Sequence, residues 1–145
     1  MYEYKELEDG LFVLSIANHC LIAEELKAFC LQEGILAGRV GGIGAISEAT
    51  FRFLNPETKK YVDKVFQEQM EITNLTGNIS ELEGKPYLHL HLTCSRSDYS
   101  CIGGHLLEAR INGACELFVE DLGRSAKVGR RPDPQTGLNI YDFGA

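Results

Sequence analysis

A chain of 145 residues, 44% of them apolar, is long enough for one ordinary domain with a real core, taken as a single unit over residues 1–145. The formal charge of −7 speaks against a general nucleic-acid surface, which is ordinarily basic, and no apolar run is long enough to span a bilayer. The five cysteines (20, 30, 94, 101 and 115) lack CxxC spacing, and no charged start leads into an apolar run, so the expectation is reduced thiols in a cytoplasmic protein.

Leu11 to Ile16 is a short apolar run and predicts the first strand. Ile22, Leu26, Phe29 and Cys30 then fall at i, i+4, i+7 and i+8, an apolar stripe down one helix face. The predicted helix runs from about Cys20 to Glu33, with Asn18 as its cap and Gly34 as its stop. Ile35 to Val40 reads as the next strand and leads into Gly41-Gly42-Ile43-Gly44-Ala45, followed by alternating Ala49, Phe51 and Phe53. This glycine run is not a dinucleotide loop, because the third glycine of that fingerprint is missing and β-like residues follow. Close strand packing or a bulge is expected instead. Asn55-Pro56-Glu57-Thr58 is a turn. Tyr61 to Phe66 and Met70 to Leu75 are extended segments, although Glu68 to Leu75 also has the composition of a short helix. Thr76 to Leu82 is β-like and ends at Gly84-Lys85-Pro86.

Chemistry concentrates between Lys85 and Leu106, which holds three of the four histidines. Tyr87, His89, His91 and Thr93 alternate with Leu88, Leu90, Leu92 and Cys94, the period of a half-buried strand. His89 and His91 therefore leave the same face. Ser95 to Ser100 is polar and turn-like, and Gly103-Gly104 allows a close backbone approach before His105. A His-x-His pair with a third histidine beyond a loop reads as a facial set of three nitrogen ligands, with a position open for water or substrate. The ion is divalent, zinc foremost. The bland reading has the leucines forming core while the histidines face solvent or a subunit interface. Cys94 falls on the opposite face and stays out of the ligand set. Asp98, in the loop beside Ser97, is a candidate acid/base group or a hydrogen-bond acceptor behind a ligand.

Leu106 to Ile111 continues as strand, Asn112-Gly113 predicts a hairpin turn, and Cys115 to Glu120 predicts its return strand. Glu120 is the second candidate catalytic carboxylate, set against the commoner role of an exposed strand-edge glutamate. From about Gly123 an irregular tail is expected. It carries the basic residues Arg124, Lys127, Arg130 and Arg131, then Pro132-Asp133-Pro134. Ile140, Tyr141 and Phe143 suit packing onto the body or a neighbouring subunit. One helix and seven or so strands make an α+β protein, a mostly antiparallel β-sheet sandwich with one main helix packed on the sheet.

The helix ending at Phe29-Cys30, the run Gly38 to Ala49, the His89-x-His91 strand and Gly103-Gly104-His105-Leu106-Leu107-Glu108 together resemble the plant and prokaryote conserved domain. That family is also called the domain of unknown function 296, and the likeness covers about Leu11 to Leu122. In plant members the domain follows AT-hook DNA-binding motifs and serves mainly for association. Prokaryotic members stand alone, are held to bind DNA by that kinship, and form trimers. The resemblance thus implies a stand-alone prokaryotic type, a homotrimer and DNA as a partner, the last opposed by the charge of −7. Gly129-Arg130-Arg131-Pro132 lacks the Arg-Gly step with which an AT-hook enters a narrow minor groove. The implied fold is also similar to that of alpha-acetolactate decarboxylase, which holds zinc on a His-x-His pair and a later histidine. His89 and His91 match the pair and His105 the later residue. The decarboxylase's acid and arginine partners find no residue-by-residue counterpart, so its reaction is not implied. Three functions stay open: a zinc-dependent hydrolase or lyase acting on a small polar molecule, a DNA-associated oligomer using Arg124 to Arg131, and an assembly domain braced by an ion.

Overall fold

The computed structural model describes residues 1–123 and 127–144. Its elements are β1 (Tyr2–Glu8), β2 (Leu11–Ile16), α1 (Ile22–Glu33), β3 (Gly38–Asn55), β4 (Lys60–Leu82), β5 (Lys85–Ser95), β6 (Cys101–Asp121), β7 (Gly129–Pro132) and β8 (Asn139–Asp142). Antiparallel pairing runs β1–β2–β6–β3–β4, and β5 joins both β4 and β6. Strands β3, β4, β5 and β6 are therefore paired in a closed ring. The mostly antiparallel sheet with one packed helix is what the sequence predicts.

The helix buries the expected stripe of Ile22, Leu26, Phe29 and Cys30. Phe29 meets Phe12, Tyr2 and Tyr4 edge-on at centroid distances of 5.3, 5.8 and 5.0 Å. The two tyrosines belong to β1, an edge strand that the apolar pattern did not signal because its other residues are mostly charged and exposed. Gly34 ends the helix in the left-handed region, φ 72°, as expected. Its start differs from expectation. Asn18 does not cap the helix; its Oδ1 accepts from the His19 and Gly113 amides instead. The first-turn amides of Ala23 and Glu24 donate to the Glu108 carboxylate of β6, at 2.7 and 3.1 Å. A carboxylate there also suits the positive end of the helix dipole.

The three extended segments expected between Tyr61 and Leu82 are one strand, β4. Buried Met70 and Ile72 alternate with exposed Glu71 and Thr73, a period of two that overturns the short-helix alternative for Glu68 to Leu75. An extra residue at Thr73 shifts the pairing with β5 and bends the strand. The predicted hairpin at Asn112-Gly113 is likewise a continuous strand. Pairing with β3 holds on both sides, at Ile111 and Cys115, with extra residues of β6 between them. Asn112 is fixed by Gln69, whose amide it bonds through both its side chain and its carbonyl. Neighbouring strands on both sides make Asn-Gly a bulge rather than a reversal.

The glycine run of β3 packs against β6. A Cβ at Gly42 would stand 2.3 Å from the Glu116 carbonyl oxygen and 2.9 Å from the Leu117 Cα. Backbone on both sides must move to admit it. Gly42→Ala should therefore cost about 1–3 kcal/mol of stability by overpacking, read from urea denaturation; an unchanged midpoint would contradict this packing. The tail is more regular than expected. β7 and β8 pair antiparallel, and β7 joins β4 by one parallel bridge, Glu81 with Gly129. Four-residue strands are too short to display a readable period.

Candidate metal centre

Alternation along β5 sends Leu90, Leu92 and Cys94 into the core and leaves His89 half-buried and His91 exposed on the other face. A tight loop then reverses the chain. The Arg96 amide donates to Ser100 O and the Tyr99 amide to Arg96 O, each at 2.9 Å. Asp98 Oδ1 accepts from the Ser100 amide and hydroxyl, at 2.9 and 2.6 Å. This reversal sets β6 beside β5 with His105 directly opposite His91. Gly103 permits the approach, since a Cβ there would lie 2.4 Å from the Leu92 carbonyl oxygen.

The three imidazoles converge. Ring centroids are 5.2 Å apart for His89–His91, 5.0 Å for His89–His105 and 5.5 Å for His91–His105. The Nε2 atoms of His89 and His91 stand 3.3 Å apart, and one nitrogen from each of the three residues lies within 4.8 Å of the others. Two nitrogens about 2.0–2.1 Å from one tetrahedral ion are about 3.3–3.4 Å apart, so the first pair already has ligand spacing. The cluster is able to hold a divalent metal ion.

Charge favours the ligating form. Burial, then the neighbouring His89 and His91, then Arg52 push the His105 pKa down to about 4, with Asp63 pulling weakly the other way. Burial, His91 and Arg130 likewise lower that of His89. Both rings are neutral at pH 7 and present lone pairs. The unfolded chain takes up a proton near pH 6.5, whereas folded His105 resists until about 4, so metal-free protein loses stability as pH falls through that window. Solvent screening limits the loss to about 1–2 kcal/mol. Urea midpoints between pH 7 and 4 should fall, and His105→Gln should flatten the fall; an equally steep fall in that variant would contradict it.

Arg52 and Asp63 escaped the sequence reading. Arg52 is the cross-strand partner of both Asp63 and His105, and its guanidinium grips the carboxylate through Nε and Nη2, each at 2.8 Å. Only the β3–β4 and β3–β6 register brings this pair to the histidines, and nothing in the spacing of residues 52, 63 and 105 announces it.

The histidines form part of the wall of a cavity of about 1010 Å³, shared by β3, β4, β5, β6 and the β7–β8 hairpin. Asp98 and Glu120 do not line it. Asp98 and Ser97 are exposed in the loop after β5. Glu120 pairs with Arg39 and borders a separate depression of about 430 Å³. Of the basic run, Arg124 lies outside the described residues, while Lys127 and Arg131 are exposed. Arg130 is a wall residue of the cavity.

Comparison with known proteins agrees with this geometry. A structure from Bacteroides thetaiotaomicron, described as a candidate DNA-binding protein, is 54% identical, with a TM-score of 0.96, and covers 100% of this chain and 99% of its own. A metal-containing protein from Archaeoglobus fulgidus is 32% identical over 97% of each chain, with a TM-score of 0.85. A Staphylococcus aureus protein of unknown function, similar to alpha-acetolactate decarboxylase, shares the fold alone: 11% identity, TM-score 0.55, 76% of this chain and 51% of that one. No curated protein matches the chain. With its family profile matched over residues 5–123, the chain belongs to the Plants and Prokaryotes Conserved (PCC) domain family.

Proposed function

We propose that the protein is a homotrimeric zinc protein whose three-histidine centre keeps a coordination position for a small molecule in the adjoining cavity. One observation carries this reading. Three imidazoles meet at a cavity wall, and among the described residues no fourth histidine, cysteine or carboxylate joins the set. A sealed structural site would have four protein ligands, whereas three are the habit of a centre that works on a ligand. A zinc ion held by His89, His91 and His105 supplies Lewis-acid polarisation, which suits a hydrolase or lyase acting on a small polar substrate.

The chain's own residues do the rest. His91 and His105 stand on directly paired strands, so the ligands ride on a rigid frame. Phe51, Phe66 and Ile102 give the cavity apolar wall that limits water. The metal-containing relative at 32% identity supports the metal. For the trimer, support comes from the family and from large apolar side chains in the open: Phe53 at 69%, Phe118 at 58% and Val62 at 59% exposure suit cover by a second copy. Five thiols without a disulfide suit a reducing, cytoplasmic setting, and among the described residues no helix is long and apolar enough to cross a membrane. Duplex binding is not favoured, because the net charge is −7 and Arg130 of the basic run belongs to the cavity wall.

Cobalt substitution tests the open position. The visible spectrum of cobalt-loaded protein should change when imidazole is added; a spectrum indifferent to it would indicate a sealed ion and overturn the reading. Light scattering at micromolar concentration should give three times the 16.1 kDa chain mass, and a monomer mass would remove the trimer.

A further inference from the structure

The cavity wall has the opposite charge to the molecule as a whole. The chain carries −7, yet the charged side chains lining the cavity are Arg52, Lys64 and Arg130, with no aspartate or glutamate among them. Arg52 is neutralised by its two-pronged contact with Asp63. Lys64 lies over the Phe66 ring, 4.9 Å from its centroid, and makes no ion pair with a described carboxylate.

Arg130 is the more constrained of the two unneutralised cations. Its guanidinium lies 4.6 Å from the centroids of both the Tyr87 and the Tyr141 rings. Nε donates to Ser80 Oγ at 2.6 Å and Nη1 to the Asn139 carbonyl oxygen at 2.7 Å. Those contacts pin the β7–β8 hairpin to the body, and a structural staple would need nothing more. Two features exceed that need. A guanidinium has five N–H donors in a planar fork, and Nη2 bonds no described residue. The fold also withdraws this cation partly from solvent and, among the described residues, gives it only neutral partners, although a desolvated charge ordinarily finds a counter-ion. Arg130 and His89 line the same cavity, and Tyr87, whose ring Arg130 covers, stands two residues before His89 on β5, so the guanidinium shares a wall with the histidine cluster.

We propose that the cavity binds a small organic anion with a planar apolar body, its acid group held by Arg130 beside the histidine cluster and its body laid against the aromatic wall. Phe51 and Phe53 supply aromatic wall for that body, while Lys64 adds to the field that draws the anion in. The acid group is a carboxylate or a phosphate, both of which match the arginine fork. This deepens the reading of the cavity as a small-molecule site, and it stands on side chains other than the metal ligands.

Isothermal titration of the full-length protein, zinc-free and zinc-loaded, with benzoate, phenyl phosphate and the neutral isostere benzamide tests the proposal. At least one anion should bind about tenfold or more tightly than benzamide, with the preference shrinking as salt rises. The tighter anion identifies the acid group. Arg130→Gln should abolish the preference while leaving zinc uptake at the wild-type level. Equal binding of all three probes, or no binding by either anion, overturns the proposal from the wild-type protein alone, even if Arg130→Gln fails to fold. A folded Arg130→Gln that keeps the preference overturns it as well. Loss of zinc uptake with the anion preference intact would sink the metal reading and leave this one standing.

Discussion

Replacing His91 with alanine should weaken zinc binding more than a hundredfold. Structural zinc in small domains contributes roughly 10–16 kcal/mol through four ligands, so one ligand of three is worth about 3 kcal/mol or more, and each 1.4 kcal/mol is tenfold in affinity. His91 is exposed, so the metal-free variant should be within about 0.5 kcal/mol of wild type. That separation makes it a cleaner probe than half-buried His105. The fourth histidine is the control. His19 sits in a turn at φ 67°, where asparagine is tolerated, and its ring meets Asn18 rather than the cluster. His19→Asn should leave zinc affinity within about twofold. Competition against a fluorescent chelator measures both, and a His91→Ala protein with wild-type affinity would mean that the ion sits elsewhere.

Zinc should also raise the melting temperature substantially. An ion at a hundred times its dissociation constant that binds only the folded state adds about 2.7 kcal/mol. At about 2–4 °C per kcal/mol for chains near this length, the rise is about 6–10 °C at fixed protein concentration. The rise should diminish as pH falls toward 4, where a proton competes for the His105 ring. His89→Ala/His91→Ala/His105→Ala should show none. An equal rise in that triple variant would assign the effect to the cysteines or to surface carboxylates.

Much of this centre was legible in the sequence because a strand has period two. Once Leu88 to Cys94 alternate with His89 and His91, the shared face of the two imidazoles follows, and burial of Leu90, Leu92 and Cys94 agrees. The helix was legible for the same reason at a period of 3.6, and its stripe is buried residue for residue. What was not legible depended on pairing between distant segments. Glu108 serves the start of a helix 85 positions away from it, so the nearer and locally apt Asn18 was expected instead. Asn112-Gly113 carries a strong local turn signal, yet β3 pairs with β6 on both sides of it, so the strand continues through a bulge. Arg52, Asp63 and His105 meet only through register. Arg130 belongs to a basic run in the sequence, and the hairpin that turns it toward Tyr87 is made of strands too short to announce themselves. Asp98 stood out as a loop carboxylate after the His-x-His strand and Glu120 as one on the return strand, whereas Asp63, which bears on His105 in space, carries no such local signal.

The central claim is that His89, His91 and His105 hold one divalent ion per chain. Elemental analysis of protein purified without a metal-affinity tag, then dialysed against micromolar zinc and desalted, tests it most directly. One zinc per chain in the wild type and none in the triple alanine variant is the predicted result. A wild-type protein that arrives empty and takes up no zinc, or a triple variant that retains a full equivalent, would contradict it.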